Sequence, residues 1–138
     1  LFDLIHSISK IKTADKINKE AEKINKQQDV LIQVNTSKEE SKSGVFPEDL
    51  FLIYESLQAM KHINVLGLMT MAPYTSDESI IRQTFQNTKL LLQQLNSTFS
   101  IELKELSMGM SNDFKIAIEE GSTMVRIGSL IFGQRNYT

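Results

Sequence analysis

Two short stretches near the carboxyl end of the sequence combine glycine with hydroxyl side chains in a pattern that suits phosphate binding. They are residues 107–113, of sequence SMGMSND, and residues 121–129. Each is predicted to leave a strand, pass through a glycine and open a helix. The first N–H groups of a helix have no partner within it and favour a phosphate dianion. We therefore expect the Ser111 hydroxyl and the main-chain N–H groups of Gly128 and Ser129 to bind a phosphate.

Each of these residues has a simpler interpretation when it is taken alone. Ser111 could cap the helix that follows it, and Gly128 could be a turn residue. Two such turns at the ends of consecutive strands make coincidence a weaker explanation. Phosphate sites also recur in the loops after the last two strands of α/β barrels.

Arg126 is the most informative single side chain, because it interrupts an otherwise apolar strand pattern. Strand alternation places Met124, Arg126 and Gly128 on one face of the strand. A buried guanidinium stays charged and needs partners. Arg126 could pair with a carboxylate and be structural, or it could donate to a cofactor ring nitrogen and keep that nitrogen unprotonated. The strand pattern alone favours neither interpretation.

About five strands, each followed by a helix, are needed to position these residues. Strands are predicted at 5–7, 30–34, 65–69, 103–107 and 124–127, and helices near 17–24, 47–60, 77–95 and 113–120, with a helical turn at 129–132. Such alternation implies parallel strands joined by right-handed crossovers. The fold class is therefore α/β, either a sheet or a barrel.

Composition limits the function classes further. With 41% apolar and 23% charged residues, the chain is typical of a globular protein. No apolar run is long enough to span a bilayer, and the net charge of −2 gives no broad positive field for nucleic acid. The lysine-rich stretch 10–26 is predicted to be the solvated face of a helix. The absence of cysteine excludes disulfides and thiolate metal sites and favours a cytoplasmic location.

Several segments together resemble the YggS/PROSC family of pyridoxal 5'-phosphate (PLP) homeostasis proteins. They are LIHS at 4–7, QVNTS at 33–37 with KSG at 42–44, GLMTM at 67–71, LSMGMS at 106–111 and the stretch 121–133, and they run in order along essentially the whole chain. The resemblance implies a fold like the N-terminal barrel of alanine racemase, with PLP at the carboxyl ends of the strands. The chain would then be a partial TIM (β/α)8 barrel in which about five βα units are present.

The same resemblance assigns roles to the phosphate-binding residues and to the arginine. On the matching positions, Ser111, Gly128 and Ser129 would hold the PLP phosphate. Arg126 would face the pyridine nitrogen. No metal is implied.

Weaker assignments concern the earlier strands. The resemblance implies that His6 and Asn35 end strands near the cofactor and that Met69 lines the same mouth. A histidine satisfied by local main-chain groups is an equally good interpretation of His6. Lys42 could order the loop after its strand, although a solvated lysine is the simpler interpretation.

The sequence departs from the family at the lysine that binds PLP covalently. Family members carry this lysine on the first strand, and nothing here corresponds to the first three strands. A replacement would need burial to lower its pKa, yet every lysine is expected on a helix, in a loop or, for Lys104, near the start of a strand. The length of the chain suits one domain, so we expect residues 1–138 to form a single domain. Because a closed barrel usually takes about 250 residues, this domain would be the C-terminal portion of a PLP-binding barrel, without the Schiff-base lysine.

The resemblance implies a PLP-binding protein of intracellular PLP homeostasis, without settled catalytic activity, whose partners are PLP and PLP-dependent apo-enzymes. Two other functions stay open. The first is part of a PLP-dependent amino-acid racemase whose remaining residues lie upstream, with Tyr74 as the loop tyrosine available for catalysis. The second is a barrel that binds a sugar or nucleotide phosphate. Because a half-barrel leaves open edges and an apolar face, we also expect self-association or pairing with a missing N-terminal part.

Overall fold

Strands and helices alternate along the chain, as the sequence predicts. The structure is a computed structural model that describes residues 3–37 and 43–127. Its elements are β1 (Leu4–Ile8), α1 (Ile11–Lys23), β2 (Gln28–Gln33), a 3-10 turn (Pro47–Asp49) that leads into α2 (Leu50–Gln58), β3 (Ile63–Met69), α3 (Glu78–Phe99), β4 (Glu105–Met110), α4 (Phe114–Glu119) and β5 (Met124–Arg126). None of the described helices has the length and apolar character needed to cross a membrane.

The strands form one parallel sheet in the order β1-β2-β3-β4-β5. Sequence order and spatial order therefore coincide, as they do around an α/β barrel. All carboxyl ends lie at the same edge of the sheet, and Met110 at the end of β4 pairs with Arg126 at the end of β5. The prediction of an α/β half-barrel with five strands is confirmed.

A contact across the sheet shows how strongly it curves. The His6 Nδ1 atom on β1 lies 2.9 Å from the Ser107 Oγ atom on β4. Three strand spacings separate β1 from β4, or about 14 Å in a flat sheet, which is more than the two side chains can bridge. The sheet is therefore rolled, and His6 and Ser107 lie on its concave face.

The convex face of the sheet packs against the helices. Alternate strand residues such as Val30, Ile32, Leu106 and Met108 join a buried cluster with helix residues that include Leu57, Phe85 and Leu95. Ser107 lies between Leu106 and Met108, so alternation directs it to the concave face. Helix α1 ends at Lys23, and its C-cap residue Ile24 is 59% exposed.

The fourth strand lies further along the chain than predicted. It covers Glu105–Met110 instead of 103–107, so Gly109 lies within the strand and not in a turn after it. Gly109 has φ +103°, and a Cβ atom there would be only 2.7 Å from the Ala117 Cβ atom of α4. Glycine is required for both reasons, since it alone tolerates this φ freely and leaves room for the helix.

Candidate functional site

Arg126 reaches across the concave face at the carboxyl edge of the sheet. Its Nη2 atom donates to the Thr70 carbonyl oxygen, directly after β3, at 2.9 Å. Its Nε atom is buried and has no hydrogen-bond partner within the described part of the chain. Burial lowers the pKa of Arg126, and the negative charge of Asp113 opposes that change. The guanidinium nevertheless stays charged at neutral pH, because the unperturbed pKa of arginine is so high.

The environment of Arg126 differs from that of an arginine in a structural ion pair. Within residues 3–37 and 43–127, its hydrogen bond goes to a carbonyl oxygen, and no carboxylate lies within ion-pair distance of it. A buried N–H without a partner costs about 1–3 kcal/mol. Arg126 thus offers a free, charged donor to a ligand on the concave face.

His6 lies in the middle of β1 and not at its end, which corrects the expected position. Its hydrogen-bond partner is Ser107, 101 residues away, and not the local main chain. Burial lowers the pKa of His6, and the nearby positive charge of Arg126 lowers it further. The imidazole is therefore neutral at neutral pH, and its Nδ1 atom is held by a fully buried hydroxyl.

Ser111 follows β4 in a turn of residues 111–113 at the carboxyl edge. It lines a cavity of about 390 Å³ together with Glu78 and Phe114. The alternative in which Ser111 caps the next helix is wrong, because the N-cap residue of α4 is Asp113. The buried Asp113 carboxylate accepts a hydrogen bond from the Met110 N–H at 2.7 Å and so fixes the turn.

Met69 and Asn35 lie at the carboxyl ends of the two central strands. Met69 is the last residue of β3 and follows the core residue Leu68, so alternation directs it to the concave face. Asn35 lies just beyond β2, where its N–H donates to the Val45 carbonyl and its Oδ1 atom accepts from Ser37. Both residues are buried, with exposures of 6% for Met69 and 3% for Asn35. They share the carboxyl edge of the sheet with Arg126.

Three predicted residues lie outside the described residues. They are Gly128 and Ser129, both assigned to the phosphate, and Lys42 in the loop after β2. The pairing of Met110 with Arg126 brings their neighbours Ser111 and Ile127 to the same edge. The two stretches predicted to bind phosphate therefore reach the same edge of the sheet, at Ser111 and Ile127, from adjacent strands.

Two residues of the site were missed by the sequence reasoning. Thr70 and Ser107 are buried polar residues, at 1% and 0% exposure, and they bind Arg126 and His6. Strand alternation could have placed Ser107, since it stands alone between Leu106 and Met108. Nothing in the local pattern marks Thr70, because its contact with Arg126 is made by its main-chain carbonyl.

The lysines and Tyr74 are the side chains that the sequence offered for covalent binding of PLP or for catalysis. Every lysine among the described residues is exposed, apart from the half-buried Lys26. Tyr74, the loop tyrosine considered for catalysis, is 95% exposed. None of these described side chains is fully buried. The described residues also contain no group of three side chains that could hold a metal ion.

Comparison with proteins of known sequence supports the expected relationship. A protein from Aquifex aeolicus (strain VF5) named Pyridoxal phosphate homeostasis protein is 47% identical over 134 residues, which are 97% of this chain and 59% of that protein. The chain thus spans well under two thirds of this relative's length.

Solved structures agree on the fold. PipY of Synechococcus elongatus PCC7942, solved with PLP bound, is 28% identical with a TM-score of 0.87, over 96% of this chain and 61% of PipY. Alanine racemase of Clostridium difficile 630 in complex with cycloserine shares the fold, with a TM-score of 0.72 at 16% identity over 95% of this chain and 36% of the racemase. The family model described as alanine racemase, N-terminal domain, matches residues 2–136. The resemblance to PLP homeostasis proteins is confirmed, and the chain belongs to the alanine racemase N-terminal domain family.

Proposed function

We propose that this chain is a PLP-binding protein of intracellular PLP homeostasis that holds the phosphate and ring-nitrogen side of the cofactor. The observation that carries the proposal is the buried Arg126 Nε atom, which has no partner among the described residues. A planar heteroaromatic ring with an acceptor nitrogen fits this donor. PLP binding by PipY, whose fold this chain shares, supports the same ligand.

Each proposed contact follows from the chemistry of the residue. Ser111, with the main-chain N–H groups of Gly128 and Ser129, would bind the phosphate at the edge where β4 and β5 end. Arg126 would donate to the ring nitrogen and, being a permanent cation, disfavour a second positive charge there. PLP itself supplies an aldehyde that reacts with amines.

The remaining assigned residues would shape the interior. His6, held neutral by burial and by Arg126, would present an uncharged imidazole to the concave face. Asn35 and Met69 would line the mouth beside it. These contacts bind and orient a ligand, but they supply no strong base at neutral pH.

We propose a carrier role in preference to racemisation. In support, the described lysines are exposed or half-buried, so they lack the desolvation that would make them nucleophiles. PLP-dependent apo-enzymes would receive the cofactor. We also propose that the chain is one domain, equivalent to the C-terminal portion of a PLP-binding barrel, and that it works in the cytoplasm.

Titration of the chain with PLP, followed by absorbance and equilibrium dialysis, tests the proposal. We expect reversible binding that Arg126→Ala and Ser111→Ala both weaken, by about tenfold for the loss of a charged hydrogen bond. Arg82→Ala is the matched control, because it removes an arginine whose ion pairs with Glu119 and Glu120 lie on the helices. Its PLP affinity should equal that of the wild type.

Other outcomes would decide against this function. Unchanged PLP affinity in both Arg126→Ala and Ser111→Ala would reject the assigned site. A sugar phosphate that binds as tightly as PLP would favour a general phosphate barrel. Racemisation of an amino acid by the PLP-loaded protein would favour the enzyme.

A further inference from the structure

Thr70 makes three hydrogen bonds, each to a different strand or strand end. Its N–H donates to the Ser107 carbonyl of β4 at 3.0 Å. Its Oγ1 hydroxyl donates to the Val34 carbonyl, just beyond β2, at 2.9 Å. Its own carbonyl accepts from Arg126 Nη2 of β5 at 2.9 Å. Thr70 itself is only 1% exposed.

The network extends to the first strand through Ser107. The Ser107 carbonyl accepts from Thr70, and the Ser107 hydroxyl meets His6 Nδ1 on β1. Thr70 therefore stands at the centre of a chain of hydrogen bonds that joins all five strands. Among residues 3–37 and 43–127, Arg126 is linked to the rest of this network by one side-chain hydrogen bond, the one to the Thr70 carbonyl.

The hydrogen bond from Arg126 Nη2 to the Thr70 carbonyl sets the direction of the unpaired Arg126 Nε–H group. A guanidinium is planar and rigid, so fixing Nη2 largely fixes the direction of its Nε–H bond. The direction of the Thr70 carbonyl depends in turn on how its peptide groups are held. The Thr70 hydroxyl supplies one of those constraints, because it ties the residue to Val34 on the opposite side from Ser107.

We propose that Thr70 is a positioning residue for the ligand: its hydroxyl holds the carbonyl that aims the Arg126 guanidinium at the ring nitrogen. This inference rests on the proposed function. Thr70 itself need not touch the ligand. Its hydroxyl acts through its own carbonyl, and its side chain is already engaged with Val34.

A hydroxyl deletion with a conservative rescue tests the inference. Thr70→Val removes the hydroxyl and keeps the shape of the side chain, whereas Thr70→Ser keeps the hydroxyl. Thr88→Val is the matched control, because the fully buried Thr88 hydroxyl also donates to a main-chain carbonyl, that of Thr84, at 2.9 Å, but lies on α3. Thr70→Ala makes the same comparison should Thr70→Val not fold.

Three measurements separate positioning from a structural role. They are PLP affinity, the affinity for inorganic phosphate, and the 15N NMR shift of the ring nitrogen in labelled PLP as a function of pH. In Thr70→Val, PLP affinity should fall about fivefold, as for one lost neutral hydrogen bond, with unchanged phosphate affinity. The bound ring nitrogen should take up its proton at a higher pH than in the wild type, nearer to that of free PLP.

The conservative and control variants should behave differently. Thr70→Ser should restore both the PLP affinity and the NMR titration, and Thr88→Val should leave both unchanged even if it lowers stability. Wild-type PLP affinity and an unshifted nitrogen titration in Thr70→Val would overturn the inference, as would equal weakening by Thr88→Val. If Arg126→Ala weakens binding while Thr70→Val does not, the positioning role alone fails. If neither Arg126→Ala nor Ser111→Ala has an effect, the proposed function fails with it.

Discussion

Gly109 allows a quantitative test of how the strand end that carries Ser111 is held in place. Substitution by alanine introduces two costs at once. The φ of +103° is unfavourable for any residue with a Cβ atom, by about 1–2 kcal/mol. The new Cβ atom would also lie 2.7 Å from the Ala117 Cβ atom and 3.1 Å from the Phe114 Cα atom, and overpacking of this kind costs about 1–3 kcal/mol. We expect Gly109→Ala to lower the free energy of unfolding by about 2–5 kcal/mol.

Gly121 provides the matched control for the backbone component. Its φ of +99° is nearly the same, but a Cβ atom there would meet only the flexible Lys89 side chain, 3.0 Å away. Gly121→Ala should therefore cost about 1–2 kcal/mol. Urea unfolding monitored by circular dichroism measures both variants, and the midpoints can be compared if the m-values are unchanged.

A double-mutant cycle isolates the contact between β4 and α4. Ala117→Gly removes the atom that the new Cβ atom would strike, so it should harm the Gly109→Ala background less than the wild type. Strict additivity of the two substitutions would refute the packing argument. So would a Gly109→Ala variant that is no less stable than Gly121→Ala.

Three further predictions follow from the site and from the edges of the sheet. Folding lowers the pKa of His6 from its ordinary 6.5, so the unfolded chain takes up this proton at a higher pH than the folded chain. The free energy of unfolding should therefore fall as the pH drops below 6.5. In a plot of urea midpoint against pH, His6→Gln should flatten this part of the curve. Borohydride reduction of the PLP-loaded chain followed by mass spectrometry should find no stoichiometrically labelled lysine, and specific labelling of one would refute the non-covalent site. Because β1 and β5 each pair with one strand among the described residues, sedimentation velocity should show self-association of this chain alone; a monomer at all concentrations would count against it.

The alternation of apolar runs predicted the fold well, because the strands can be recognised from the apolar residues that they contain. The run Val30 to Val34 was predicted to be a buried strand, and it overlaps β2, which covers Gln28–Gln33. The boundaries of β4 were harder to predict. Gly109 has the signature of a turn, yet it lies within β4, where its missing Cβ atom leaves room for Ala117 of α4. Local propensity was overridden there by the packing of β4 against α4, which residue types alone do not reveal.

In the candidate site, the sequence likewise identified some residues but not the partners that they contact. Arg126 was recognisable because a charge in an apolar strand needs an explanation, whichever partner it has. The partner was not recognisable, since a main-chain carbonyl such as that of Thr70 carries no side-chain signature. For His6 the sequence offered local main-chain groups, whereas its partner lies on β4 and depends on the curvature of the sheet.

That curvature connects the fold to the ligand. His6 and Ser107 are 101 residues apart and come within 2.9 Å only if the sheet is rolled. Gly67 contributes to the close pairing of β3 with β4, because a Cβ atom there would lie 1.8 Å from the Glu105 carbonyl oxygen. A ligand that contacts this concave face loses its site when the strands separate, so PLP at a hundred times its dissociation constant should stabilise the folded chain by about 2.7 kcal/mol. In Arg126→Ala, whose affinity for PLP should be about tenfold lower, the same PLP concentration should stabilise the fold by only about 1.4 kcal/mol; an undiminished stabilisation would mean that the ligand binds elsewhere on the molecule.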